Sequence, residues 1–157
     1  MFPVLRPILN RGGAGYSISR DETVEHLQPH IERGLALMRT YDATVPALGA
    51  EDAARLDALM PYLRTEVGKL YESVFSAGGT APTGVGAVAP ATGSDVDPLD
   101  ALLRREREFG KELLAEVDSV HHQERTRAIL RAVAAGSTGR LDVLREFAAR
   151  RPARREQ

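Results

Sequence analysis

From Gly78 to Val96 the chain spends 19 residues almost wholly on Gly, Ala, Pro, Thr, Ser and Val, and on each side of that stretch lie two long amphipathic segments. In the first pair, Val24, Leu27, Ile31, Gly34/Leu35, Met38, Tyr41 and Val45 step by three or four, as do Leu56, Leu59/Met60, Leu63, Val67, Leu70, Val74 and Ala77. In the second pair the same rhythm runs through Leu99, Leu102, Glu106, Phe109, Leu113, Val117 and Val120, then through Thr126, Leu130, Val133, Ser137, Leu141, Leu144 and Ala148. Steps of three and four line up on one face of an α-helix. The joins within each pair, Ala47 to Ala50 and a break over 118–122, are short and dictate antiparallel hairpins. The middle stretch could extend about 60 Å at roughly 3.3 Å per residue, against about 40 Å for a helix of about 27 residues, so it can travel the length of a bundle. The expected fold is all-α, a four-helix bundle of two antiparallel helix hairpins joined by a long crossover linker.

Local signals set the boundaries. RGGAGYS marks the end of an N-terminal arm over 1–18, and Ser19-Arg20-Asp21-Glu22 has the S-x-x-E form of a capping box at a helix start. Pro29 should kink the first helix or split off its first turns, and Pro61 lies inside the second. Gly78-Gly79 suits a helix end, and Asp97-Pro98 suits a helix start with an Asx cap and proline in the first turn. Ala135 to Gly139 allows a break and a fifth short helix, but the continuous phase favours one helix to about Arg151. The bundle therefore spans 19–151, with the linker at 78–96 and a tail at 152–157.

A net charge of −1 and a pI near 6.4 give no overall field to hold nucleic acid or an anionic membrane. No cysteine is present, which excludes disulfides, thiolate metal sites and cysteine nucleophiles. MFPVLRPILN is too short and too interrupted for a signal peptide, nothing reaches the length of a membrane span, and a cytoplasmic protein is expected. No G-x-S-x-G, P-loop or dinucleotide fingerprint occurs. Neither a catalytic constellation nor a cofactor is expected.

Glu106 interrupts an apolar stripe, and a buried carboxylate without a partner is costly. If the last two helices turn near residue 121, position 106 faces 136 or 137, with Arg140 one turn on. Pairing of Glu106 with Arg140, with Ser137 donating a hydrogen bond, is the favoured reading; a snorkelling edge and metal ligation are the alternatives. His26 and His30, four apart, share one side of a helix as metal-binding histidines do, and Glu66 lies opposite His30 if the first hairpin turns near 48. Both histidines sit off the apolar seam with Pro29 between them, so solvated or hydrogen-bonded imidazoles are favoured over a metal. His121-His122 beside the second turn suits dipole and carbonyl contacts. Arg145, Arg150, Arg151, Arg154 and Arg155 gather positive charge at the last helix end, without the interleaved aromatics of a nucleic-acid grip. Gly34, Gly68, Gly110, Gly136 and Gly139 could permit close helix approach within the bundle or between chains.

Two helix pairs with a long crossover, and the exit LYESVFSAGGTAPTG with its Gly-Gly-x-x-Pro form, resemble the ferritin-like superfamily over about 20–150. In its metal-binding members one helix of each pair gives a carboxylate and the other an E-x-x-H. Here Glu66-Val67-Gly68-Lys69 and Ser137-Thr138-Gly139-Arg140 stand in those places. Neither ammonium nor guanidinium has a lone pair for a metal. The resemblance thus implies the fold and argues against the metal chemistry. The expected protein is non-catalytic, binds no metal, and acts through protein contacts, as a homodimer through helix faces or with another protein. The alternative is an atypical metal-dependent oxidase or storage protein using Glu106, Glu66, His30 and His26. The linker and arm could also present a binding surface.

Overall fold

The computed structural model describes residues 14–80, 96–120 and 123–151, with side chains described from Glu22 onward. Helix α1 spans Ala14–Thr44, a 3-10 turn follows over Val45–Ala47, and α2 spans Ala50–Ser76; α3 spans Pro98–Ser119 and α4 spans Glu124–Ala149. Among the described residues no helix is long and apolar enough to cross a membrane.

Each hairpin turn places two helices side by side, and α1 also packs on α3 and α2 on α4. The α2 C-terminus lies by the first half of α1, where Gln28 Nε2 donates to the Thr80 carbonyl at 2.8 Å. The α3 start lies at the far end, where Asp97 and Arg151, just past the end of α4, are ion-paired and the Thr44 hydroxyl donates to the Pro98 carbonyl at 3.5 Å. Helices α2 and α3 therefore run the same way.

The boundaries follow the local chemistry. Gly78 has φ +79°, its N–H bonds the Phe75 carbonyl at 2.9 Å and Gly79 N–H bonds the Val74 carbonyl at 3.0 Å. This double closure is the Schellman ending that a left-handed glycine permits. Gly79 is required for a different reason: a Cβ there would lie 2.5 Å from Val24 Cγ2. Asp97 caps α3 as expected, its Oδ1 accepting from Leu99 N at 2.9 Å ahead of Pro98. The hydrogen bond from Arg151 holds the Asp97 carboxyl below its ordinary range.

Two local expectations fail, and of the two outcomes expected at Pro29 the split is not seen. Helical backbone begins at Ala14, so Ser19-Arg20-Asp21-Glu22 lies inside α1 and is not its start. One helix runs through Pro29, which removes one donor without splitting off the first turns. The buried face of α1 is also turned from the expected stripe: Leu27, His30, Ile31, Leu37, Tyr41 and Thr44 are buried, while Val24, Leu35 and Met38 are only partly so. Packing against α2 on one side and α3 on the other explains the rotation, because a helix touching two neighbours buries the wedge between them. The other stripes bury as spaced, and α4 passes unbroken through Ala135 to Gly139. His121 and His122, the linker over 81–95 and the tail over 152–157 lie outside the described residues.

Candidate functional site

Inside the bundle, every helix sends at least one polar side chain towards a common cluster. Tyr41 comes from α1, Glu66 from α2, Glu106 from α3, and Ser137 with Arg140 from α4. Two glycines, Gly110 and Gly136, make room for them, and a third, Gly34, makes room for the apolar Val67 beside them. A Cβ on Gly110 would stand 2.8 Å from the Ser137 hydroxyl, one on Gly136 would stand 1.6 Å from Glu66 Oε1, and one on Gly34 would stand 2.6 Å from Val67 Cγ2. Gly68 and Gly139, by contrast, have open space where a Cβ would go.

Glu106 is fully buried and its carboxylate is fully used. Oε1 accepts from Ser137 Oγ at 2.6 Å and from Arg140 Nη2 at 3.0 Å. Oε2 accepts from the Tyr41 hydroxyl at 2.6 Å and from Arg140 Nε at 3.1 Å. This is a fork-on-fork guanidinium pair with two hydroxyl donors added, which meets the condition for burying a carboxylate. The third guanidinium nitrogen, Nη1, binds Glu66 Oε2. Arg140 is buried and Glu66 is half-buried.

With two carboxylates around one guanidinium, the electrostatics are uneven. Burial pushes Glu66 above the ordinary carboxylate range, more strongly than Arg140 pulls it down. Burial would lower Arg140, but hydrogen bonds and charge from Glu106 and Glu66 outweigh it and hold the guanidinium protonated. Burial, then the neighbouring Glu106 charge, drives the Tyr41 phenol far up, so it stays a donor. The set offers a metal no vacant lone pair on Glu106, since all four of its acceptor directions are taken. Its chemical capacity is cohesion, with hydrogen bonds crossing from α4 to α2 and α3 and from α1 to α3.

Glu106, Arg140 and Ser137 meet as the helical register predicts. Glu66 does not meet His30. Its partner is Arg140, and His30 turns to Glu116 of α3. The expectation that His30 lies off the seam is also wrong, since it is 1% exposed. Arg33 Nη1 lies 3.5 Å from His30 Nδ1, and a guanidinium can only donate. Nδ1 is therefore the acceptor, and Nε2 carries the proton donated to Glu116 Oε2 at 3.2 Å. Burial first, with help from Arg33, lowers His30 below its ordinary range in spite of Glu116, consistent with a neutral ring. His26, more exposed, pairs through Nδ1 with the other oxygen of Glu116 and sits 3.8 Å from Glu22. Among the described residues no group of three or more His, Asp or Glu side chains could hold a metal ion.

The arginines near the end of α4 are paired: Arg145 with Asp142 at 3.4 Å, Arg150 with Asp52 at 2.8 Å while lying over the Phe147 ring, and Arg151 with Asp97. Sequence reasoning missed Tyr41 and Glu116. Tyr41 carried the one available signal, a hydroxyl on a stripe position. Glu116 sits one step from the apolar Val117 and reads as solvated.

No protein-family model matches the sequence, and no curated protein matches it significantly. The structure is similar to the X-ray structure of Dps from Thermosynechococcus elongatus, with a TM-score of 0.69 over 90% of this chain and 99% of that one, at 12% sequence identity. The fold is thus that of the ferritin-like superfamily, and at that identity the likeness extends to the fold alone.

Proposed function

We propose that this is a non-catalytic ferritin-like bundle, cytoplasmic and homodimeric, that acts through protein contacts. The supporting observation is the Arg140 guanidinium seated between Glu106 and Glu66, in the part of the bundle where metal-binding members of the superfamily are expected to place carboxylates and E-x-x-H histidines. A fixed internal cation already meets the charge of those carboxylates, so a metal there would have to displace a hydrogen-bonded guanidinium. The test is elemental analysis of protein purified without a histidine tag, together with sedimentation. A dimer without stoichiometric metal supports the reading. Stoichiometric iron, manganese or zinc ends it.

The second reading is a metal-binding bundle with an atypical ligand set. It is favoured by the fold and by two imidazoles that converge on the Glu116 carboxylate. Under it, Glu106→Gln abolishes metal uptake; under the first reading, the same change alters stability alone.

A further inference from the structure

On the seam between α1 and α3 a groove of about 370 Å³ is floored by Leu37 and Phe109 and edged by Arg33, Arg104, Arg105, Glu108 and Glu112. Among the described residues Arg104, Glu108 and Glu112 form no ion pair, and the hydrogen-bond partner of Arg33 is the uncharged Nδ1 of His30 at 3.5 Å. Five charged groups of both signs lie around this floor, and the three on α3 that form no ion pair among the described residues, Arg104, Glu108 and Glu112, suit a partner that carries both signs in the reverse order.

A second copy of this chain carries that order. Along α3 the positive residue Arg104 precedes the negative residues Glu108 and Glu112 by one and two turns. Turning the helix by a two-fold axis beside Glu108 places Arg104 of one copy against Glu112 of the other, and the reverse, about 12 Å apart along the helix. The like charges of the two Glu108 side chains then approach at the axis, and Arg33 lines the opposite lip of each groove. The arginine stems can lie along the apolar floor while their heads pair. The area reaches the lower end of what a specific interface needs: two helices roughly 9 Å apart and about 33 Å long present roughly 600 Å² per copy, against about 800 Å² in a standard interface.

We propose that the α1–α3 groove is the self-complementary interface of a two-fold homodimer, with Arg104 and Glu112 as its reciprocal charge pair. This rests on the homodimer reading above and names its surface. The test is sedimentation velocity on the full chain at about 50 µM, a concentration that detects micromolar association. Wild type should be dimeric at low salt and weaken as salt rises. Arg104→Glu and Glu112→Arg should each raise the dimer dissociation constant about tenfold or more, and the double swap should restore it. Both residues are exposed, so circular dichroism and melting should stay at wild-type values in every variant. A dimer indifferent to both single swaps, or a double swap that stays dissociated, overturns this surface while the homodimer reading stands. A monomeric wild type overturns both.

Discussion

Glu66 of α2 lies directly over Gly136 of α4, so close that a Cβ on the glycine would fall 1.6 Å from the carboxylate Oε1. Helix α4 thus supplies both the arginine that holds this carboxylate and, one turn before it, the gap that lets the carboxylate reach it.

Gly136→Ala should therefore destabilise the protein. In an exposed helix the change gains about 1 kcal/mol of helix propensity. Here the methyl must push Glu66 off Arg140, and overpacking costs about 1–3 kcal/mol while taking a carboxylate from a buried guanidinium. A net loss of stability is expected in urea titrations. In the Glu66→Ala background the methyl meets no carboxylate, so the same change should become neutral or stabilising. If the sign of the glycine effect is the same in both backgrounds, Glu66 is not what Gly136 accommodates.

The two acids around Arg140 should respond unequally to amidation. Glu106 receives four hydrogen bonds and is the fully buried partner, so Glu106→Gln should cost about 3 kcal/mol or more. Glu66 is the surplus charge, its protonation favoured by burial. Its folded pKa lies above the unfolded value, so it binds protons more readily when folded, and stability falls as pH rises from about 4.5 through the folded pKa. Glu66→Gln removes that loss and should leave stability at pH 7 within about 1 kcal/mol of wild type or above it. Equal losses from the two amides would show that both carboxylates are needed to neutralise the guanidinium.

Tyr41→Phe removes one hydroxyl and no packing volume worth noting. The phenol donates to a charged oxygen at 2.6 Å in a fully buried site, and a hydrogen bond to a charged group is worth about 1.5–3 kcal/mol. Glu106 Oε2 keeps the Arg140 Nε bond, so the loss should fall at the lower end of that range, and thermal and chemical denaturation should agree on it. No loss at all would mean that water or Arg140 takes over the vacated acceptor.

The architecture was legible in the sequence because spacing controls it: short joins at 48 and 121 and one long strap admit few arrangements of four apolar stripes. The same counting brought Glu106 to Ser137 and Arg140, since both ends of that hairpin were fixed by one turn. It misled at Glu66, where opposition to His30 within the first hairpin ignored that a flank residue of α2 also borders α4. It missed Tyr41 because an aromatic ring on a stripe explains itself by burial, and the hydroxyl at its tip leaves no periodic trace. Ser19-Arg20-Asp21-Glu22 misled differently: its four residues can form a cap or simply occupy one turn of a longer helix, and only the residues before them decide.

His30 provides a pH signature opposite in sense to that of Glu66. Its ring is buried against Glu116 of α3, with Arg33 donating to Nδ1. Burial lowers its folded pKa below the ordinary 6.5, so between the two values the unfolded chain binds the proton and the native protein does not. The stability that depends on the neutral ring is complete above about pH 6.5, falls as pH drops through that value, and levels off below the folded pKa. Protonation must occur on Nδ1, because Nε2 already carries a hydrogen, and the new N–H would face the Arg33 guanidinium. His30→Gln keeps a donor for Glu116 but has nothing to titrate. Its urea midpoint should therefore change less than that of wild type between pH 7 and pH 5, the sharpest contrast lying just below 6.5. A variant whose midpoint tracks wild type throughout that interval would assign the acid sensitivity to other groups.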